Sequence, residues 1–508
     1  MILKKNNMSI ITRNLNIVKN QTSVVVSNIV NKKSEPINKI NFFTNTSKLF
    51  KNFTFKENGL VVLKEKNKDI EYPLIVDTTM PLKTGKERVV ILGSGWAGAR
   101  LARDIDCVNK YDLTVISSKN HMVFTPLLAS SCVGTVHSQS VIENIRHLQP
   151  ALRFPQNHFY LANAKYIDTN RKMIECETDS NKIFSIGYDK LIIATGGKPL
   201  TFNIPGIKEN TFFLKDLNDS LKIRKKLLEN ICLAGIPTMK IEDRNKLLHF
   251  VIVGGGPTGV EFASELSNFI NEDMSSYNPR IKSSAKITLI EGNEVLNSFD
   301  KSLSSYAIQK LIDGGVYIKK AQVNKVNKDS IELNDGSKID YGICIWSTGI
   351  GTTEFINSLN FKKSKNGRIL VDDKLRVIDL NNKVNDSIFA IGDACINEDS
   401  PLPPLAQVAE QQGKFLANYL NNINYLDNMD NFEENYKFNY NHLGSMVSLT
   451  TGNGILEVGN NKKYKFTGLK SWLAWRSAYL TKLQTSKNKI NIASQWLGTF
   501  IKGREIGF

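Results

Sequence analysis

Residues 250–263 read FVIVGGGPTGVEFA, and this stretch is the most informative about the fold. An apolar run of β type ends in a glycine turn, a helical pattern follows, and the next apolar run, 287–290, ends in Glu291. The glycines of the turn are Gly254, Gly256 and Gly259. Strand, glycine turn, helix and terminal acid form the fingerprint of a dinucleotide-binding unit. Because a carboxylate accepts ribose hydroxyls and repels a 2′-phosphate, Glu291 predicts a site that prefers NADH to NADPH.

A second glycine turn lies earlier in the chain, where residues 93–98 read GSGWAG. It follows the β-type run 87–92 and precedes a helical pattern, as the fingerprint requires. Gly93 allows the tight turn, Gly95 leaves room for a pyrophosphate, and Gly98 lets the helix pack closely on the strand. Ser117 stands where an acid usually binds the adenosine ribose, so this turn departs from the pattern at that position.

Two such units predict an α/β chain with two doubly wound, Rossmann-like domains, and the order of these units resembles that of the two-dinucleotide flavoprotein reductases. We expect a leader with an irregular lead-in at 1–85, an FAD-binding domain in two parts at 86–215 and 346–440, and an NADH-binding domain at 216–345. Residues 441–508 form an aromatic and basic C-terminal region. Residues 418–434, rich in Asn and acid, indicate a surface loop.

Three further strand ends link the two units. Two strand-like runs end in Thr-Gly, at Thr195-Gly196 and at Gly349, and a third ends in Gly392-Asp393. Asp393 is suited to accept a hydrogen bond from a ribityl hydroxyl of a flavin, although an Asp there also suits the cap of a following helix. The order of these runs predicts non-covalent FAD in the first unit.

Composition excludes several classes of protein. The chain has 508 residues, a formal net charge of +17 and six scattered cysteines without a CxxC pair. No metal site is expected, because zinc would need clustered ligands. No apolar run is long enough for a spanning helix. The first acid is Glu35, after six Lys or Arg, which is typical of a mitochondrial transit peptide, although a disordered Asn/Lys-rich tail would look similar.

With these segments in order, the chain resembles the type II, or alternative, NADH dehydrogenases of mitochondria. The resemblance covers about residues 86–508 and includes both glycine turns. Its more specific parts are residues 405–413, LAQVAEQQG, similar to the quinone-side motif, and residues 475–482 and 503–506, similar to the C-terminal membrane-contact region. Residues 124–128 and 133–136 also resemble the stretch after the FAD unit.

The resemblance implies roles for the matching positions. FAD would be held by Gly93, Gly95, Gly98, Ser117, Gly392 and Asp393, and Trp96, Thr195, Gly196 and Gly349 would also bind a cofactor. NADH, the substrate, would be held by Gly254, Gly256, Gly259, Glu261 and Glu291. Ubiquinone would face Gln407, Glu410 and Gln411, and no catalytic nucleophile is expected. Hydride would pass from NADH to FAD and electrons to ubiquinone without proton pumping, on either face of the mitochondrial inner membrane. A homodimer would fit the family.

The C-terminal region suggests how such a protein reaches its membrane. Residues 461–508 contain ten Lys or Arg and one acid. Trp472, Trp475, Tyr479 and Leu483 recur at helical spacing, and Trp496, Leu497 and Phe500 repeat the pattern. We expect a peripheral anchor on an anionic lipid surface. The alternative is two helices packed on the body with a solvated basic face.

Other functions fit less well. A disulfide reductase needs a CxxxxC pair after the first helix, and none is present. Sulfide:quinone reductases use redox cysteines and lack a complete second dinucleotide turn. No nucleic-acid-binding module accompanies the positive charge. An NADH-binding flavoprotein of the cell-death type, which acts by protein interaction and reduces little quinone, is the remaining alternative.

Overall fold

The computed structural model describes residues 53–55, 61–65, 68–72, 84–274, 278–426, 436–459 and 464–506. The chain divides into two compact units, 1–81 and 82–508. In the first unit, β1 (Phe53–Phe55), β2 (Val61–Glu65) and β3 (Lys68–Tyr72) form an antiparallel sheet. The expectation of an irregular lead-in is therefore wrong for these residues. The expected transit peptide at the N-terminus lies outside the described residues.

The second unit alternates strands and helices along most of its length. Its strands are β4 (Glu87–Leu92), β5 (Tyr111–Ser117), β6 (His121–Val123), β7 (Ile142–Asn144), β8 (His158–Leu161), β9 (Asn163–Asp168), β10 (Met173–Glu177), β11 (Ile183–Gly187), β12 (Lys190–Ile193), β13 (Lys198–Pro199), β14 (Phe212–Phe213), β15 (His249–Val253), β16 (Lys286–Glu291), β17 (Val316–Lys320), β18 (Val323–Val326), β19 (Ser330–Leu333), β20 (Lys338–Asp340), β21 (Ile343–Trp346), β22 (Ile350–Gly351), β23 (Ile369–Leu370), β24 (Arg376–Ile378), β25 (Val384–Ala390), β26 (Cys395–Ile396), β27 (Ser445–Ser448), β28 (Gly454–Val458) and β29 (Tyr464–Thr467). Its α-helices are α1 (Trp96–Asp104), α2 (Leu128–Val133), α3 (Ile145–Leu148), α4 (Ile207–Asn210), α5 (Leu217–Ala234), α6 (Ile241–Leu247), α7 (Pro257–Asn268), α8 (Pro279–Ser284), α9 (Lys301–Asp313), α10 (Glu354–Ser358), α11 (Ala406–Leu426), α12 (Leu469–Lys482) and α13 (Ser486–Lys502).

The first large sheet has six strands in the order β24-β25-β12-β4-β5-β8. All of them run parallel except the edge strand β24, which pairs antiparallel with β25. Every residue of β5 is buried, because helices cover both faces of a parallel sheet and its strands become continuous apolar runs. Four strands of this sheet precede residue 216 and two follow residue 345. This is the arrangement expected of an FAD-binding domain in two parts.

The second large sheet is fully parallel, in the order β14-β21-β15-β16-β17. Strand β14 is Phe212–Phe213 and strand β21 ends at Trp346, so the sheet extends just outside the expected domain limits, 216 and 345. Helix α5 begins beside this sheet at a capping box, in which Asp216 and Asp219 each accept a backbone N–H of the other. The predicted NADH-binding domain thus has a parallel sheet of its own.

Helix α11 packs along α1 over the first sheet. A Cβ atom at Gly413 would lie 2.5 Å from the carbonyl oxygen of Ala97, so glycine at this position lets the two helices approach closely. The helix continues through residues 418–426, and the expectation of a surface loop is wrong there. The remainder of that expected loop, 427–434, lies outside the described residues.

The C-terminal region is a three-stranded antiparallel sheet, β27-β28-β29, followed by α12 and α13. Trp475 and Trp496 are 3% and 6% exposed, and both belong to the hydrophobic core that surrounds the second sheet. This region is therefore packed into the second unit. No helix among the described residues is long and apolar enough to cross a membrane.

Candidate functional site

The first glycine turn joins β4 to α1 and has little space on two sides. Gly93 has φ +107°, and a Cβ atom there would lie 2.3 Å from the carbonyl oxygen of Ala194. A Cβ atom at Gly98 would lie 2.0 Å from the carbonyl oxygen of Gly93. A Cβ atom at Gly95 would meet nothing within 4 Å. Packing thus requires Gly93 and Gly98, whereas Gly95 faces open space where a phosphate group fits.

The second glycine turn, between β15 and α7, repeats this geometry. Gly254 has φ +111°, and its Cβ atom would lie 2.4 Å from the carbonyl oxygen of Ser347. A Cβ atom at Gly259 would lie 2.0 Å from the carbonyl oxygen of Gly254, and one at Gly256 would meet nothing within 4 Å. Both turns therefore present one glycine to open space at the start of a helix, where free N–H groups favour a phosphate.

The residues after the second strand of each unit differ in charge, as the sequence predicts. Glu291 ends β16, and its Oε2 and Oε1 accept hydrogen bonds from the backbone N–H groups of Gly255 (2.6 Å) and Asn293 (2.8 Å). Ser117 ends β5, and its Oγ lies 2.9 Å from the Oγ of Ser94. The carboxylate is thus fixed beside the second turn, and a pair of hydroxyls stands in the matching place beside the first.

A cleft of about 630 Å³ lies beside the first turn. Among its lining residues are Gly93, Gly95, Trp96, Ser117, Thr195, Gly196, Gly392 and Asp393, together with Thr258 and Ser347 of the second domain. The structure therefore brings together strand ends that are up to 300 positions apart in the chain. Gly349 lies at the crossing between the domains, where its carbonyl oxygen accepts a hydrogen bond from the N–H of Leu200 at 2.8 Å.

Two buried hydroxyl oxygens on the walls of the cleft have no hydrogen-bond partner among the described residues. They are Oγ1 of Thr195 and Oγ of Ser347. Such orphaned polar atoms are costly unless a ligand or water satisfies them. The open glycine, the orphaned hydroxyls and the carboxylate of Asp393 together fit a flavin dinucleotide.

Two lysine side chains that the sequence did not single out form ion pairs across the cleft. Lys215 Nζ lies 3.4 Å from Asp393 Oδ2, and Lys119 Nζ lies 2.6 Å from Asp216 Oδ2. Lys215 and Asp216 immediately precede α5, whereas Lys119 and Asp393 lie on the side of the first sheet. The glycine fingerprint contains no lysine, so these two ion pairs become visible only in the folded structure.

The three residues expected near quinone lie on α11 but make contacts with protein. Gln407 accepts from the N–H of Leu443 (3.2 Å) and donates to the carbonyl oxygen of Gly444 (3.0 Å). Gln411 makes the same pair of bonds with the N–H and carbonyl oxygen of Asn441, at 3.0 and 2.8 Å. The neighbouring Leu405, Ala406 and Ala409 line the cleft instead. The two glutamines therefore fix the segment 441–444 that leads into the C-terminal region.

Glu410 faces another side of the same helix. Its carboxylate pairs with Arg100 Nη1 at 2.8 Å and with Lys482 Nζ at 2.9 Å. Arg100 belongs to α1, and Lys482 ends α12. Glu410 therefore ties the flavin-side helix to the C-terminal region, and its carboxylate has a cation on each oxygen.

Glu261 lies in α7, close after the second turn, but its carboxyl group contacts the C-terminal region. Its Oε1 accepts hydrogen bonds from the indole N–H of Trp475 (3.0 Å) and from the backbone N–H of Ser448 (3.1 Å). Burial raises the pKa of Glu261 to about 8, although both donors lower it. The expected role toward NADH stays a prediction, and the structure assigns this carboxyl two protein partners.

A series of aromatic rings connects the cleft with the C-terminal helices. Ring centroids are 5.3 Å apart between Trp96 and Phe124, 5.6 Å between Phe124 and Tyr479, and 4.6 Å between Tyr479 and Trp475. The Trp96 indole also donates to Thr125 Oγ1 at 3.1 Å. The C-terminal region thus packs against the wall of the cleft through residues that the sequence placed on a lipid-facing stripe.

The expectation that this stripe faces lipid is wrong for three of its residues. Trp475, Leu483 and Trp496 are buried, and they belong to the hydrophobic core that surrounds the second sheet. The exposed apolar residues of α13 are Ile490, Leu497, Phe500 and Ile501, which follow helical spacing on its outer face. Leu497 and Phe500 were expected to be outward, and they are 61% and 78% exposed.

Comparison with known proteins agrees with this geometry. A family model described as pyridine nucleotide-disulphide oxidoreductase matches residues 87–413. The internal alternative NAD(P)H-ubiquinone oxidoreductase A1 of Solanum tuberosum mitochondria is 43% identical, over 83% of this chain and 88% of that protein. The chain belongs to the type II NADH dehydrogenases. Because this relative is named for ubiquinone reduction, the comparison does not favour a flavoprotein of the cell-death type.

Two further matches support membership of the type II dehydrogenases. External NADH-ubiquinone oxidoreductase 2 of Saccharomyces cerevisiae mitochondria is 33% identical over 87% of this chain and 86% of its own length. The solved structure of NDH2 from Plasmodium falciparum in complex with NADH matches with a TM-score of 0.77 and 27% identity, over 83% of this chain and all of that chain. The fold class expected from the two glycine turns is thereby confirmed.

Proposed function

We propose that this type II dehydrogenase transfers hydride from NADH to non-covalently bound FAD and passes the electrons to ubiquinone without pumping protons. The observation on which the proposal rests is the cleft, which the first glycine turn, Asp393, Thr195 and Ser347 line together. Membership of the type II dehydrogenases supports the choice of acceptor. Bound FAD supplies the two-electron chemistry, so the protein needs no nucleophile.

The first domain would hold FAD through backbone and hydroxyl groups. Gly95 gives the pyrophosphate access to the N-terminus of α1, while Gly93 and Gly98 keep the turn tight. Ser117 offers a hydroxyl to the adenosine ribose, and Asp393 accepts from the ribityl chain. Gly392 completes the expected FAD residues, and Trp96, Thr195, Gly196 and Gly349 complete the expected cofactor-binding residues.

The second domain would hold NADH. Gly254, Gly256 and Gly259 shape the phosphate turn, and Glu291 accepts the ribose hydroxyls of the adenosine. Glu291 is held by the N–H groups of Gly255 and Asn293, which keeps the carboxylate beside the turn. The fixed negative charge supports a preference for NADH over NADPH, because it repels a 2′-phosphate.

On the quinone side, Gln407, Glu410 and Gln411 act as positioning residues. The two glutamines hold the segment 441–444, and Glu410 holds α12 through Lys482. Both contacts fix the C-terminal region against the wall of the cleft. We infer that the quinone approaches along this junction, next to Leu405, Ala406 and Ala409.

The protein would act on the mitochondrial inner membrane as a peripheral protein. A homodimer would be compatible with this role. The relatives from potato and yeast are mitochondrial. The outer face of α13, with Leu497, Phe500 and Ile501 exposed between Lys487 and Lys502, would enter the boundary of an anionic lipid surface. This contact would bring the cleft within reach of a membrane quinone.

Steady-state turnover of the purified, flavin-loaded protein tests the proposal. NADH with a short-chain ubiquinone should give sustained oxidation of NADH and stoichiometric quinol, and NADPH should react more slowly. Protein that binds flavin and NADH but gives no turnover with quinone would contradict the proposal and favour action through protein interaction.

A further inference from the structure

A second cavity, of about 350 Å³, lies between α7 and the C-terminal helices and shares no lining residue with the flavin cleft. We call it the C-terminal cavity. Its walls include the indoles of Trp472, Trp475 and Trp496, the ring of Phe500 and the guanidinium group of Arg476. Its volume falls in the range of small-molecule sites. None of these residues belongs to the flavin or NADH sites described above.

Arg476 is the unusual group in this cavity. Its guanidinium carbon lies 3.9 Å from the ring centre of Trp472 and 4.7 Å from that of Trp496, so it is stacked against both indoles. Its buried Nε has no hydrogen-bond partner among the described residues. Burial lowers the pKa of Arg476 to about 10, which leaves the group charged at neutral pH. A stacked guanidinium keeps its donors at the edge, where an oxygen acceptor from a ligand can reach them.

The other charged side chains that line the cavity restrict the kind of ligand that fits. Arg504 pairs with Glu272 at 3.0 Å, with Asp273 at 2.6 Å and with Glu265 at 3.6 Å. Three carboxylates against two guanidinium groups leave a negative excess, which opposes a lone anion. Aromatic walls beside carboxylates favour an ammonium group. A ligand that carries both a phosphate and an ammonium group meets both requirements.

The position of the cavity indicates where such a ligand would come from. Phe500 lines the cavity and is 78% exposed, and its neighbours Leu497 and Ile501 are 61% and 68% exposed. Apolar side chains at the mouth would accompany acyl chains, whereas a small soluble zwitterion would not use them. The neutral ring of a quinone would leave the negative excess unmatched.

We propose that the C-terminal cavity binds the headgroup of a zwitterionic phospholipid, with its phosphate on Arg476 and its ammonium group among the aromatic rings and carboxylates. The inference rests on the proposed membrane contact and deepens it, because it adds a stereochemically defined lipid site to a general attraction of basic residues to anionic lipid. The site would seat α12 and α13 at a fixed depth in the headgroup layer.

The test uses the full, flavin-loaded chain and dihexanoylphosphatidylcholine below its micelle concentration. Tryptophan fluorescence and titration calorimetry should report saturable binding, since Trp472 and Trp496 flank the guanidinium group. Dihexanoylphosphatidylglycerol, which lacks the ammonium group, glycerophosphocholine, which lacks the acyl chains, and inorganic phosphate should each bind more weakly. Absence of saturable binding by the wild-type chain would overturn the proposal.

Variants separate this site from general basic charge. Arg476→Gln should weaken binding roughly 10- to 150-fold, corresponding to the loss of about 1.5–3 kcal/mol for a hydrogen bond to a charged group. Arg476→Lys, which keeps the charge but not the fork of donors, should fall between. Lys301→Gln removes one exposed charge from α9, outside the C-terminal region, and should leave binding unchanged. Flavin content and thermal midpoint check that each variant is folded.

Two further outcomes would contradict the proposal. Binding of the anionic lipid as tight as that of the zwitterionic lipid would mean that the cavity responds to charge alone. Competitive displacement of the lipid by a short-chain quinone would identify the cavity as a quinone site. Lipid binding requires no turnover, so NADH:quinone activity measured on the same samples distinguishes failure of this inference from failure of the proposed function.

Discussion

Gly95 and Gly256 occupy matching places in the two turns, and at each of them a side chain would enter open space. Gly95→Val should therefore fold but place a branched side chain where the pyrophosphate of FAD approaches, so the purified protein should lose most of its flavin. Gly256→Val is the matched control. It should keep FAD and raise the KM for NADH.

Absorbance of the purified variants and NADH titrations measure both effects. A Gly95→Val protein with a full flavin complement would reject the assignment of the first turn. If Gly256→Val were the variant that lost FAD, the two domains would have exchanged roles.

Glu291 should govern the choice between NADH and NADPH. Its carboxylate is held beside the second turn by two N–H groups, so a 2′-phosphate would meet a fixed negative charge. We expect a preference for NADH of about 1–3 kcal/mol, roughly 5- to 150-fold in kcat/KM, which Glu291→Gln should narrow. Equal kcat/KM values for the two nucleotides in the wild-type protein would argue against this role.

At the level of single residues, the sequence predicts the geometry of the two turns, because the backbone allows only glycine at Gly93, Gly98, Gly254 and Gly259. It could not predict the partners across the cleft. Lys215 and Lys119 reach Asp393 and Asp216 only after the two domains are assembled, and isolated lysines carry no pattern. Glu261 also shows this limit, since its position in the motif does not reveal that its carboxyl group contacts Trp475.

Helix α11 carries the next prediction. Gln407→Leu removes two hydrogen bonds to residues 443 and 444 and should loosen the junction with the C-terminal region. We expect a higher KM for quinone, while the reduction of the flavin by NADH keeps its rate in stopped flow. Asn422→Leu, at an exposed position on the same helix, should change neither step. Equal slowing of both half-reactions would mean that Gln407 supports the flavin itself.

The contact between α7 and α12 should depend on pH. Burial raises the folded-state pKa of Glu261 to about 8, well above the ordinary value of a free carboxyl group. The protonated form is therefore favoured in the folded state, and its contribution is complete below the unfolded pKa. That contribution is lost as pH rises through about 8.

We therefore expect the wild-type protein to lose stability relative to Glu261→Gln between about pH 5 and pH 8, by roughly 2–4 kcal/mol. Chemical unfolding of both proteins at several pH values measures this difference. The same pH dependence in both proteins would show that another group is responsible.

The C-terminal helices show why element positions are easier to predict than element faces. The spacing of Trp472, Trp475 and Tyr479 correctly predicts a helix, which the structure places at Leu469–Lys482. A large apolar stripe suits a core as well as a lipid boundary, and only the position of α7 and the buried Glu261 decides between them. Trp475 is turned inward because its indole N–H finds a carboxyl acceptor there.

At the scale of the whole molecule, the positive charge and the apolar outer face of α13 predict binding to anionic membranes. Deletion of the C-terminal region would expose the core around Trp475 and Trp496, so substitutions are the better test. Replacing Leu497, Phe500 and Ile501 together by Gln should release the protein from anionic liposomes and impair reduction of a long-chain quinone. Reaction with a short-chain quinone should remain.

A matched control replaces Leu221, Leu233 and Ile241 by Gln, which are exposed apolar residues of the NADH-side domain. That variant should sediment with liposomes as the wild type does. Equal sedimentation of both triple variants would exclude the outer face of α13 as the anchor.

In the proposed reaction, one flavin accepts electrons from NADH and delivers them to quinone. Anaerobic stopped flow on the purified protein tests it most directly. NADH should bleach the flavin absorbance in a fast first step, and a short-chain ubiquinone mixed with the reduced protein should restore it at a rate no slower than turnover. Flavin that NADH reduces but quinone fails to reoxidise at that rate would show that this flavin does not deliver electrons to quinone during turnover.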